Sequence, residues 1–218
     1  IHNNVHGSGT GPILFASFSF LENGVSELVI PKIIVGQKNG KSWITWIGAQ
    51  TQPNINQLIA AKGTTEITFM PGSLSNEEWQ SRVADAVKRI KQGQLDKVVL
   101  ARDVNAFSNK DISPRALIQI LEEDYPSTWI FLVADLIGAT PEMLVRLSKS
   151  LVTSRVLAGT IRKTHDEQKD LALAASLAKS SKDLEEHEYA VRSVAEVLSP
   201  FCSSINVPES PFVLHLSN

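Results

Sequence analysis

The chain has 218 residues, 43% of them hydrophobic and 20% charged, with a net charge of −2. A chain of that size and balance can bury a core without disulfides or metals, and it lacks the basic excess of a nucleic-acid binder. No apolar run approaches a membrane span, and the single Cys202 excludes an internal disulfide framework and fits a reducing cytoplasm.

The chain starts at Ile1 with no signal-peptide pattern, and it carries no internal repeat. Residues 1–70 read as a β-rich start. Ile13–Phe20, Leu28–Val35 and Ser42–Ile47 are strand candidates, with Pro31 marking an edge or a break in the second. Asn39-Gly40 between the last two is the chemistry of a tight hairpin turn. Gln50–Asn56 reads as a polar loop and Glu66–Met70 as a short strand. Residues 71–218 mix helices and strands. Ser75 with Glu78 forms a capping box for a helix whose apolar positions are Trp79, Val83, Ala86, Val87 and Ile90, and Gly93 is its stop. Lys97–Val104 reads as a strand, and Ser113-Pro114 opens a second helix that ends near Tyr125-Pro126. Trp129–Ala134, Met143–Leu147 and Leu151–Leu157 read as strands. Asp166–Ser180 and Lys182–Leu198 read as helices broken at Ser180-Ser181. This order predicts an α+β layer fold, with the Lys97, Met143 and Leu151 strands in one sheet and helices packed on it.

Four segments carry candidate chemistry. In Leu95–Arg102, strand alternation places Lys97, Val99 and Ala101 on one face. A lysine on a small apolar face loses hydration and suits a general base; the alternative is an edge lysine that reaches out to water. In Leu136–Glu142, Gly138 permits a tight turn and Glu142 falls where loop meets strand, either as an active carboxylate or as a solvated turn residue. In Leu157–Lys163, the Gly159-Thr160 pair offers close backbone approach and a hydroxyl before two basic residues. That segment suits a carboxylate or phosphate, or is a plain turn; it is not a P-loop. In Lys182–Glu188, a turn of about 100° per residue puts Asp183, Glu186 and His187 on the apolar face of Ala190, Val191, Val194, Val197 and Leu198. Glu185, Glu188, Arg192 and Glu196 fall opposite. Inward carboxylates require a cation, a donor or a proton, and oxygen ligands suit Mg2+; a frayed, exposed first turn is the alternative.

Taken together, the four segments resemble the chorismate-utilising enzymes, a family that includes isochorismate, salicylate, anthranilate and aminodeoxychorismate synthases. Lys97-Val98-Val99-Leu100-Ala101-Arg102, Gly138-Ala139-Thr140-Pro141-Glu142, Leu157-Ala158-Gly159-Thr160 and Lys182-Asp183-Leu184-Glu185-Glu186-His187 match its motifs in order and spacing. The resemblance spans about Gly9 to Asn218 and implies the chorismate-binding, anthranilate synthase component I-like fold, incomplete at the C-terminus, with residues 1–218 as the N-terminal and middle part of a single domain. Lys97 marks members that add water to chorismate, where the ammonia-using members carry Gln. It therefore implies an isochorismate synthase, of the menaquinone-pathway type first, with salicylate synthase as the nearest alternative and the ammonia-using synthases behind it.

The implied roles are Lys97 as base toward water, Glu142 as acid toward the leaving C4 hydroxyl, and Ala158, Gly159 and Thr160 lining the substrate pocket. Glu186 would bind Mg2+, with Asp183 as a second or water-mediated ligand. Chorismate is the implied partner, with no amidotransferase subunit. The family's later "HL", "LHPTP" and "G-x-Y-x-G" segments and its C-terminal metal-binding glutamates are absent, and His215-Leu216 is not that "HL". The resemblance thus implies an N-terminal and middle fragment, inactive alone; a folded, non-catalytic fragment is the reading from another class.

Overall fold

The computed structural model describes residues 4–7, 9–48, 66–164 and 166–217; the predicted loop Gln50–Asn56 lies outside them. The elements run β1 (Phe15–Ser17), β2 (Glu27–Val29), β3 (Ile33–Lys38), β4 (Lys41–Trp46), β5 (Thr68–Pro71), α1 (Asn76–Lys91), β6 (Val104–Phe107), α2 (Pro114–Asp124), β7 (Trp129–Val133), β8 (Leu136–Thr140), β9 (Met143–Ser148), β10 (Leu151–Arg155), α3 (Glu167–Lys179) and α4 (Ser181–Leu198). A 3-10 turn, Ser199–Phe201, follows α4. The fold is α+β, as expected. Among the described residues its strands form five antiparallel pairs: β1–β2, β3–β4, β5–β6, β7–β8 and β9–β10.

The chain divides into two compact units. One comprises residues 1–58 and 117–218, the other 59–116. The first holds β1 to β4, most of α2, β7 to β10, α3 and α4; the second holds β5, α1 and β6.

Local chemistry accounts for most boundaries. The β3–β4 hairpin closes through Asn39 and Gly40 at φ 52° and 73°, with Lys38 paired to Lys41. Both turn residues are left-handed, which matches the strand twist. Pro31 breaks the predicted Leu28–Val35 run into β2 and β3. Helix α1 has its full capping box: the Ser75 hydroxyl accepts from the Glu78 amide, and Glu78 accepts from the Ser75 amide at 2.8 Å. At its other end the Gly93 amide donates to the Ile90 carbonyl and the Gln94 amide to the Arg89 carbonyl, with Gly93 at φ +69°. That is the reciprocal pattern of a Schellman cap. Ser180 ends α3 and caps α4 at once: its amide donates to the Leu177 carbonyl, and its hydroxyl accepts from the Asp183 amide.

Two expectations are corrected. Residues 97–103 are not strand; β6 begins at Val104 and pairs with β5, not with β9 or β10. Alternation is a local pattern, whereas a strand exists only where a neighbour completes its ladder, and the described residues supply none for this segment. Leu136–Thr140, read as a turn, is strand β8. The turn lies earlier, at Ala134 and Asp135, where Ala134 takes φ 49°. Gly138 pairs with Phe131, and a Cβ there would lie 2.8 Å from the phenyl ring. Its role is to make room for that ring rather than to bend the chain.

Among the described residues only Ile34 is buried, at 7% exposure. On the β9–β10 hairpin Leu144, Leu147 and Leu151 are exposed. A two-stranded sheet cannot hide both of its faces, so much apolar surface stays open.

Candidate active site

Three of the four motif segments belong to the first unit. The α4 helix carries the acidic motif, and its exposure pattern follows the predicted face. Asp183, Glu186, His187, Ala190, Val191, Val194 and Leu198 are half-buried, while Glu185, Glu188, Arg192 and Glu196 are exposed. Val197 departs from the prediction: it is 66% exposed. The Ser180 cap fixes where the helix begins, and so which way its first turn points.

The 157–163 segment is an irregular loop between β10 and α3. Ala158 and Gly159 are half-buried and Thr160 is exposed. Gly159 takes φ +77°, and its α-carbon backs directly onto Asp183. A Cβ at 159 would lie 2.9 Å from the Asp183 Cβ and 3.2 Å from its Oδ1. Only glycine fits so close and so strained a position without cost. The structure therefore brings together two predicted site segments that are some twenty residues apart in sequence.

The loop is tied at its far end. The Thr164 amide and hydroxyl both donate to Asp170 Oδ1, at 2.7 and 2.8 Å. Lys163 Nζ donates to the Leu216 carbonyl at 3.1 Å, which engages one of the two basic residues expected to face an anion. The Thr164–Asp170 tie escaped the sequence reading. Its partners stand six residues apart, Thr164 before α3 and Asp170 in its first turn, where an acid reads as ordinary helix-start composition.

Glu142 is exposed and sits in the link between β8 and β9, where its amide donates to the Thr140 hydroxyl at 3.1 Å. Its expected place at an element junction holds, although both flanks are strand. Lys97 belongs to the second unit and is half-buried, but Val99 is 76% exposed. The apolar face expected to dehydrate the lysine is not formed by Val99. Among the described residues no group of three or more His, Cys, Asp or Glu side chains clusters to hold a metal. The Asp183 and Glu186 carboxylates are nevertheless hard oxygen donors on one half-buried helix face, and that donor type fits Mg2+ as part of a larger set. No helix among the described residues is long and apolar enough to cross a membrane.

The chain belongs to the chorismate-binding enzyme family, whose profile matches residues 1–218. It is similar to the salicylate biosynthesis isochorismate synthase of Pseudomonas aeruginosa, with 35% identity over 144 residues, 64% of this chain and 30% of that protein. It is also similar to the isochorismate synthase EntC of Escherichia coli, with 29% identity over 92% of this chain and 50% of the relative. A crystal structure from Bacillus anthracis assigned as the isochorismate synthase DhbC superposes with a TM-score of 0.68 at 29% identity, over 88% of this chain and 48% of that one. The chain spans about half the length, or less, of the relatives it matches.

Proposed function

We propose that this chain serves isochorismate synthesis, in which water adds at C2 of chorismate and the C4 hydroxyl departs. The observation that carries the reading is the seating of Gly159 on Asp183, which joins the candidate substrate loop to the acidic face of α4. In this reading Lys97 takes the proton from water, and Glu142 gives a proton to the leaving hydroxyl. Each assisted transfer contributes roughly 10²- to 10⁴-fold. Ala158, Gly159 and Thr160 line the substrate pocket. Glu186 holds Mg2+, with Asp183 in support. The metal, when bound, supplies positive charge against the carboxylates of chorismate, a need made acute by a protein of net charge −2. We place the reaction in the cytoplasm, without an amidotransferase subunit.

The relatives' names attach different end products to the same activity, salicylate in one and vibriobactin in another. The proposal therefore stops at the shared step. The open apolar faces and the half-length match to the relatives also support a second element: the 218 residues alone do not turn over chorismate.

The test uses the chain itself. Mg2+ is titrated while backbone amide NMR follows residues 157–160 and 183–187, and chorismate is then added. The expected result is that both groups shift together with Mg2+ and again with chorismate. Shifts confined to the outward Glu185 and Glu188, or no shifts at all, would overturn the reading. Isochorismate formed by the pure 218-residue chain would overturn the second element.

A further inference from the structure

The segment that carries Lys97 has no ladder among the described residues, so other contacts must fix its path. It leaves α1 through the Gly93 cap and runs back to the opposite end of the same helix. There Arg102 Nη1 donates to Asn76 Oδ1 at 2.8 Å, in the first turn of α1. At the adjoining residue, Asp103 Oδ1 accepts from the Ser73 amide at 2.9 Å and also from the Ser73 hydroxyl. The Asp103 carboxyl sits so tightly over Gly72 that a Cβ at 72 would lie 2.3 Å from it.

Asn76 to Gly93 rises about 25 Å along a helix, and the nine residues from Gly93 to Arg102 can span about 30 Å. With the Arg102 side chain adding to its reach, the segment is long enough to return to the start of α1, and it bends at Gln94 and Asp96 before Lys97. We propose that Asp103, with Arg102 beside it, is a positioning residue for Lys97: by pinning the far end of a ladder-free segment to the α1 N-terminus, it helps to set where the Lys97 amine stands. The inference rests on the proposed role of Lys97 as the base.

Trace labelling with acetic anhydride, read by mass spectrometry, tests it in the 218-residue chain. The quantity measured is acetylation of Lys97 relative to Lys88, which is exposed on α1. Asp103→Ala should raise that ratio several-fold and leave the lysines of the other unit, Lys149 and Lys179, unchanged. Asp103→Asn keeps an acceptor oxygen and should restore the wild-type ratio. Should Asp103→Ala fail to fold, Ser73→Ala must still raise the ratio, because it removes one of the two donors. An unchanged ratio in Asp103→Ala or Ser73→Ala, or a rise shared by all the lysines, would overturn the proposal. Labelling needs no turnover, so a failure here is separable from a failure of Lys97 as base, which a Lys97→Ala activity assay reads.

Discussion

Gly159→Ala probes the contact on which the proposed site depends. Two costs arise at residue 159. The first is conformational: at φ +77° a Cβ crowds the following carbonyl, which costs roughly 1–2 kcal/mol. The second is steric: the new Cβ would lie 2.9 Å from the Asp183 Cβ, well inside an ordinary carbon contact, and overpacking of this kind costs about 1–3 kcal/mol. A stiffer unfolded chain returns about 0.4–1 kcal/mol. The net loss should be about 2–3 kcal/mol, a large share of the roughly 5–15 kcal/mol that stabilises a domain. Gly48 supplies the control. It lies in the same unit at φ +80° with no described residue within 4 Å, so Gly48→Ala bears the backbone cost without the Asp183 contact. Urea unfolding of both variants, compared at equal m-value, isolates the Asp183 contact. Equal destabilisation by the two substitutions would show that the loop does not sit on α4, and the joined site would fall with it.

Four further outcomes follow from the same geometry. Glu186→Gln should abolish most of the Mg2+-induced rise in melting temperature, while Glu185→Gln on the exposed face should leave it nearly intact. Lys97→Ala should lower turnover by about 10²- to 10⁴-fold in the catalytically competent protein, and Lys97→Arg should not rescue it, because a guanidinium does not give up its proton. Ser180→Ala should cost about 1 kcal/mol in thermal or urea unfolding, because it removes the hydroxyl that caps α4. The Asp103 carboxyl is held below its ordinary range, chiefly by the Ser73 hydroxyl, then by the Ser73 amide, with a smaller contribution from the Arg102 charge. A depressed carboxylate contributes stability above its unfolded value and loses it as pH falls through the folded one. Acid unfolding followed by circular dichroism should therefore start at higher pH in Ser73→Ala than in the parent chain.

What the sequence made legible was what short stretches decide by themselves. The Ser75–Glu78 box, the Gly93 stop and the Ser180 break each involve residues within a turn of one another, and each appears as read. The inward face of α4 was legible for the same reason, since a fixed angle per residue orders it. Val197 fails because the angle per residue fixes which way a side chain faces, not whether another element lies against that side; its neighbour Leu198 is half-buried. The errors all involve distant partners. Lys97–Arg102 alternates like a strand, yet a ladder needs a neighbour that alternation cannot name. Leu136–Thr140 was hidden because Gly138 signals a turn, whereas its small size serves Phe131 across the hairpin, and the true turn falls on Ala134, a poor turn former. The Gly159–Asp183 contact was invisible for the same reason, although both segments had been singled out separately.

The direction of the α4 carboxylates is the strongest physical argument for a site there. Acidic residues at the start of a helix need no special explanation, because the N-terminal partial charge of about +0.5 favours them. That preference is indifferent to which side of the helix the acid occupies. Glu185 lies near the same end and faces solvent, where water hydrates it fully. Asp183 and Glu186 lie instead with Ala190, Val191 and Val194 on the half-buried face, where each loses part of its hydration. Their inward placement is accounted for when something positive or proton-donating meets them on that face, beside a glycine loop that makes room for Asp183. A divalent cation facing an anionic substrate provides that charge, and the response to Mg2+ should then fall much further in Glu186→Gln than in Glu185→Gln; equal responses in the two variants would refute the argument.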